Sequence, residues 1–220
     1  MKVPAQGPRI EPRWPAAVAI ITVIWLLAML PGRIALVPIW VAYILGAALI
    51  VPMAAVVLTA GKGRWLRVER VILVFFVVVS GLGTLVNLTR LIGMMASRTA
   101  GVGGMQLFAS SIGIWATNVL TFSLLYWQID RGGPEARVND ADARPDWLFP
   151  QSGAGEDAPP EWRPTFVDYL FLGFSTATAF SPTDALPLTS RAKMLMMLES
   201  TISLVTIVVV GARAINILGN

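Results

Sequence analysis

The chain has 220 residues, 55% hydrophobic and 14% charged, with a mean hydropathy of +0.68 and a formal charge of +4. An ordinary soluble domain carries about a quarter of charged residues, so this composition points to a polytopic membrane protein. The absence of Cys and His excludes disulfides, thiolate nucleophiles, imidazole-held metals or haem, and His-based triads.

The basic balance does not imply a nucleic-acid partner, because Lys and Arg gather in short loops beside apolar runs, as the positive-inside rule describes. Four such runs come first: Trp14 to Leu30, Ile34 to Ala60, Val68 to Met95, and Met105 to Tyr126. Each is long enough to span a hydrocarbon core. The first lacks a small-residue cleavage pattern and leads through Pro31-Gly32 into another span, so it reads as an anchor and not a signal peptide. Lys2, Arg9 and Arg13 precede it, and Lys62, Arg64, Arg67 and Arg70 separate the second and third runs, whereas the opposite loops carry Arg33, Arg90 and Arg98. The N-terminus is therefore expected in the cytoplasm of a bacterial inner membrane, with Trp14, Trp65 and Trp127 as interfacial anchors on that side. Residues 1–128 form this four-helix region.

Residues 129–163 break the apolar pattern with Gly, Pro, Asp and Glu. Asp130, Glu135, Asp140, Asp142, Asp146, Glu156, Asp157 and Glu161 outnumber Arg131, Arg137 and Arg144, a balance that either draws cations to an entrance or simply solvates a loop. A run of this composition cannot bury enough surface to fold alone and reads as a polar connector. Trp147-Leu148-Phe149 inside it suits either the headgroup layer or a neighbouring helix.

Residues 164–220 read as a short capped helix, a non-helical stretch and a last apolar helix from Ser190 to Asn216. Thr165 and Asp168 have capping-box spacing, so Asp168 is read as a structural cap. Phe166 to Phe180 would reach only about 22 Å as a helix, short of a ~30 Å core, so this segment dips in and returns. Backbone that leaves helical geometry at membrane depth survives only where protein buries it or where it lines a watery cavity. Past Phe174, the hydroxyls of Ser175, Thr176, Thr178, Ser181 and Thr183 gather beside Asp184, and Pro182 withdraws one backbone donor. Oxygen-rich surroundings suit hard cations; the competing reading is that these hydroxyls bond back to helix carbonyls. Glu199 lies about 14 Å into the last helix, where an ionisable side chain is functional by default. Asn87, Arg90 and Asn118 are candidates to bond to it or to the loop, although Arg90 fits snorkelling better and Asn118 with Thr117 equally fits interhelical glue.

Residues 164–216 resemble the pore module of the potassium-channel superfamily. The likeness rests on the aromatic-rich short helix, on Asp184-Ala185-Leu186-Pro187 where that family has an Asp followed by Pro after its filter, on Arg191 through Leu198-Glu199, and on Ala212-Arg213-Ala214. At the filter itself the chain has Ala179-Phe180-Ser181-Pro182-Thr183, with neither of the family's glycines, so the usual potassium selectivity is not implied. The whole chain resembles an uncharacterised family of bacterial inner-membrane proteins with a domain of unknown function, which implies no activity. Four crossings from a cytoplasmic N-terminus put connector and loop on the cytoplasmic side, inverted as in ionotropic glutamate receptors.

The expectation is an all-α polytopic membrane protein with five transmembrane helices plus a re-entrant pore-helix/loop before the last. It would pass monovalent cations as a homo-oligomer, tetramer favoured over dimer, without cofactor or catalysis. The ion path would comprise Thr176, Thr178, Ser181, Thr183, Asp184 and Glu199. The alternatives are an ion- or proton-coupled small-solute carrier and a non-conducting membrane scaffold.

Overall fold

The structure is a computed structural model and describes residues 11–30, 39–59, 63–96, 104–139, 143–154, 157–159, 162–178 and 185–218. The described chain is predominantly helical: α1 (Trp14–Met29), α2 (Ile39–Leu58), α3 (Gly63–Ala96), α4 (Gly104–Ile129), α5 (Pro134–Asn139), α6 (Phe166–Thr178) and α7 (Ser190–Leu218). Three of these, α3, α4 and α7, are long and apolar enough to cross a membrane, and α1 and α2 are apolar but provide shorter candidate stretches. The finding supports a membrane protein.

Helix α4 is the hub, packed against α7, α6, α3 and α1, while α2 lies outside against α1 and α3. The faces of α3 show why the bundle is sorted this way. Val71, Phe75, Val78 and Leu82, at helical spacing, point outward and are more than half exposed, whereas Ser80, Thr84 and Asn87 are buried. Lipid tails cannot hydrogen-bond, so polar groups turn inward, as Thr84 does by donating to the Ser80 carbonyl at 2.8 Å. The 34-residue α3 begins at Gly63, ahead of the apolar run that starts at Val68, because Leu, Arg and Glu continue a helix as readily as apolar residues do. At ~1.5 Å per residue it is about 51 Å long, more than the thickness of a ~30 Å hydrocarbon core.

The connector does not fold alone; it folds onto the helix ends. Strand β1 (Trp147–Leu148) pairs antiparallel with β2 (Leu186–Pro187), which ties the connector to the entrance of α7. The Trp147 ring is fully buried, 4.8 Å from that of Tyr126, and its Nε1–H donates to Met196 Sδ at 3.2 Å. Phe149 packs edge-on against Tyr169. Trp127, expected as an interfacial anchor, is instead fully buried, its indole N–H donating to Glu11 Oε1 at 2.6 Å. Trp14 is 68% exposed and retains a position compatible with an anchor.

Candidate functional site

Glu199 sits nine residues into α7 on the face turned to α4 and α6, and it is fully buried. Tyr126 of α4 donates its hydroxyl to Glu199 Oε2 at 2.5 Å. About two turns along α4 from Tyr126, Asn118 Nδ2 donates to the Glu199 carbonyl at 3.3 Å and to Ser203 Oγ at 2.9 Å. Residues 118, 122 and 126 are four apart, so a single face of α4 supplies both polar groups with Phe122 between them.

The third wall is α6, whose close approach depends on Gly173. A methyl group there would lie 2.4 Å from Ser123 Oγ and 3.3 Å from Glu199 Oε1. Near the end of α6 the carbonyls lack intrahelical partners, and Ser200 of α7 donates to one of them, Thr176 O, at 3.1 Å. Glu199 Oε1 and Thr176 Oγ1 are both buried and have no hydrogen-bond partner among the described residues. Nor does any Lys or Arg among them pair with Glu199. The junction thus offers a carboxyl group and neutral hydroxyls, without a countercharge.

The expected path residues are distributed unequally. Thr176 and Glu199 converge on this junction. Thr178 is exposed, and its hydroxyl donates to the Phe174 carbonyl at 2.7 Å, as the back-bonding alternative describes. Ser181, Thr183 and Asp184 lie outside the described residues, as do Asp140, Asp142, Glu156 and Glu161 of the connector. Asp168 takes the Thr165 N–H at 2.7 Å and its hydroxyl at 2.9 Å, the geometry of a cap. Asn118 engages the Glu199 backbone, whereas the buried Asn87 leaves its Oδ1 without a partner. Tyr126, Ser123, Gly173 and Ser203 were not singled out from sequence, although the spacing of Asn118 and Tyr126 on one helical face was there to be read.

At the end where α1, α3, α6 and α7 begin and α4 finishes, a second buried polar cluster is built from ion pairs. Glu11 accepts from Trp127 and, at 2.9 Å, from Arg137 Nη2; Arg13 donates to Glu69 at 3.3 Å. Arg137 also donates to the carbonyls of Trp127 and Asp130 and lies 4.8 Å over the Tyr169 ring. Asp130 accepts from the Tyr169 hydroxyl at 2.5 Å and from the Asp146 N–H at 2.6 Å. Burial pushes the Tyr169 hydroxyl well above its ordinary range; Arg137 opposes this and Asp130 adds to it, so the hydroxyl remains a donor. Asp146 in turn accepts from Thr189 and from Arg191, at 2.6 Å each from Thr189 Oγ1 and Arg191 Nε. Two connector acids that could have drawn cations to an entrance, Asp130 and Asp146, are therefore buried and engaged.

Compared with protein-family models, curated proteins and solved structures, the chain shows no match. The reading of its sites rests on their own geometry.

Proposed function

We propose that the chain is a five-crossing bacterial inner-membrane protein, N-terminus in the cytoplasm, which passes monovalent cations as a homo-oligomer through the segment after α6. The observation that carries this reading is the register of α6 against α7. Both helices begin at the ionic end, and Ser200, ten residues into α7, meets Thr176, ten residues into α6. Ten residues are about 15 Å of helix. Between Thr178 and Leu186 the chain has to climb back over that depth, and eight residues reach at most about 28 Å when extended. In this reading Ala179 to Asp184 return as an oxygen-lined path, with α6 as the re-entrant helix behind it.

Glu199 and Tyr126 then brace α6 from behind, and Asp184 sets cation preference by its charge. One such segment cannot ring an axis, so several copies are required, a tetramer in preference to a dimer. The apolar residues Met194, Met197, Leu198, Leu204, Val205 and Val208, exposed along one face of α7, suit contact with lipid or another copy.

A second reading, a proton- or ion-coupled carrier of a small solute, is favoured by the partnerless Glu199 Oε1. Flux from proteoliposomes separates the two. A channel passes K⁺ or Na⁺ down its gradient without solute; a carrier moves cation or H⁺ only when solute moves. Absence of any flux from the folded, reconstituted oligomer overturns both and leaves the scaffold. Orientation has its own check: Cys introduced at exposed Ser152 should resist impermeant thiol reagents in intact cells, and labelling there overturns the cytoplasmic connector.

A further inference from the structure

A cavity of about 280 Å³ opens between the start of α3 and the end of α4, lined by Gly63, Arg67, Arg70, Gln128, Gly133 and Glu135 among others. Its chemistry is asymmetric. On one side stand Arg67 and Arg70, exposed and without an ion pair among the described residues. On the same side the first turn of α3 brings backbone N–H groups that have no intrahelical acceptor, with the positive end of a 34-residue helix dipole. This half is made for an anion. On the other side Gln128, only 4% exposed, leaves Oε1 buried without a donor, and Glu135 contributes a carboxylate. This half calls for a hydrogen-bond donor.

The backbone keeps the cavity open. Gly133 has φ +105, and a methyl group there would stand 2.7 Å from Arg70 Nη2, so only glycine lets the guanidinium lie across it. The cavity lies at the ionic end of the bundle, the end that carries the loop arginines.

We propose that this cavity binds a phosphodiester headgroup that carries its own donor, the phosphate on Arg67 and Arg70 and the α3 N-terminus, the ammonium or hydroxyl on Gln128 and Glu135. Phosphatidylethanolamine and phosphatidylglycerol meet both requirements. Phosphatidylcholine has the same phosphate but a methylated, donor-free head. The site does not depend on the conduction reading, since none of its residues belongs to the α4–α6–α7 junction.

The test is native mass spectrometry of the delipidated full chain in mild detergent, titrated with each lipid. Wild type should retain phosphatidylethanolamine or phosphatidylglycerol more tightly than phosphatidylcholine. Arg67→Gln and Arg70→Gln, neither of which removes an ion pair among the described residues, should each weaken that binding about fivefold, as expected for one basic residue near a lipid surface. Gln128→Leu should abolish the preference over phosphatidylcholine. If soluble glycerophosphoethanolamine binds with the same arginine dependence and the lipids do not, the site stands and its ligand is a soluble phosphodiester. Equal binding of all three lipids by wild type, or binding unchanged in both arginine variants, overturns the proposal.

Discussion

The two buried acidic clusters solve opposite problems. At the ionic end each buried carboxylate meets a guanidinium or several donors: Glu11 has Arg137 and Trp127, Glu69 has Arg13, Asp146 has Arg191 and Thr189. At the α4–α6–α7 junction Glu199 has, among the described residues, one side-chain donor, Tyr126, and one oxygen without a partner. A buried pair with satisfied hydrogen bonds holds elements in register, and losing one partner strands a charge. A lone buried carboxyl group beside neutral hydroxyls contributes little register of its own. The first cluster is where the fold is locked, and the second is where it has chemistry to spare.

If that division is right, the largest loss of stability comes from Arg137. Arg137→Leu leaves Glu11 without its cation and takes the guanidinium donor from the Trp127 and Asp130 carbonyls, and should cost about 3–5 kcal/mol, read from denaturation in detergent micelles. A cost below about 1 kcal/mol would erase the contrast between the clusters. Next comes Gly173→Ala, which drives a methyl group against Ser123 Oγ and should cost about 1–3 kcal/mol by overpacking. Combining it with Ser123→Ala removes the clashing oxygen, so the double variant should recover part of the loss; strict additivity would place the α6 contact elsewhere.

Tyr126→Phe withdraws the only side-chain donor that Glu199 has among the described residues and should cost about 1–3 kcal/mol, the penalty for a buried acceptor left unsatisfied. Combined with Glu199→Leu, which removes the acceptor, the effect of losing the hydroxyl should shrink. The smallest expected change is that of Glu199→Gln, which still accepts from Tyr126 and should alter stability by under about 1 kcal/mol. The same exchange at Glu11, beside Arg137, should cost clearly more. In proteoliposomes Glu199→Gln should lower conductance or its pH dependence, and Asp184→Asn should lower cation over anion permeability. Unchanged flux in both variants sharpens the comparison in the other direction, reducing the junction to packing.

Much of the secondary structure was legible because lipid leaves few options. Unbroken apolar runs between arginine-bearing loops imply helices, and the Thr165–Asp168 spacing marked the start of α6. Helix ends were less legible: the start of α3 and the end of α4 extend into polar sequence, where hydropathy stops reporting but backbone hydrogen bonding continues. The connector was the largest surprise. Its composition is read as giving it no core of its own; Trp147, Phe149, Asp146 and Arg137 bury themselves against the helix ends, using apolar surface and charge supplied by the rest of the chain.

The sequence by itself determined the solvent, the helical class, the short capped α6 and the presence of a carboxyl group deep in the last helix. All are local properties, set by hydropathy, spacing and the rise per residue. Only the tertiary structure decided that Glu199 faces Tyr126 and not Arg90, that Gly173 is the contact that lets α6 in, and that Asp130 and Asp146 lock the capped end. A helix repeat of 3.6 assigns residues to faces, but which faces meet depends on packing between segments up to 126 residues apart, as in the pairing of Glu11 with Arg137.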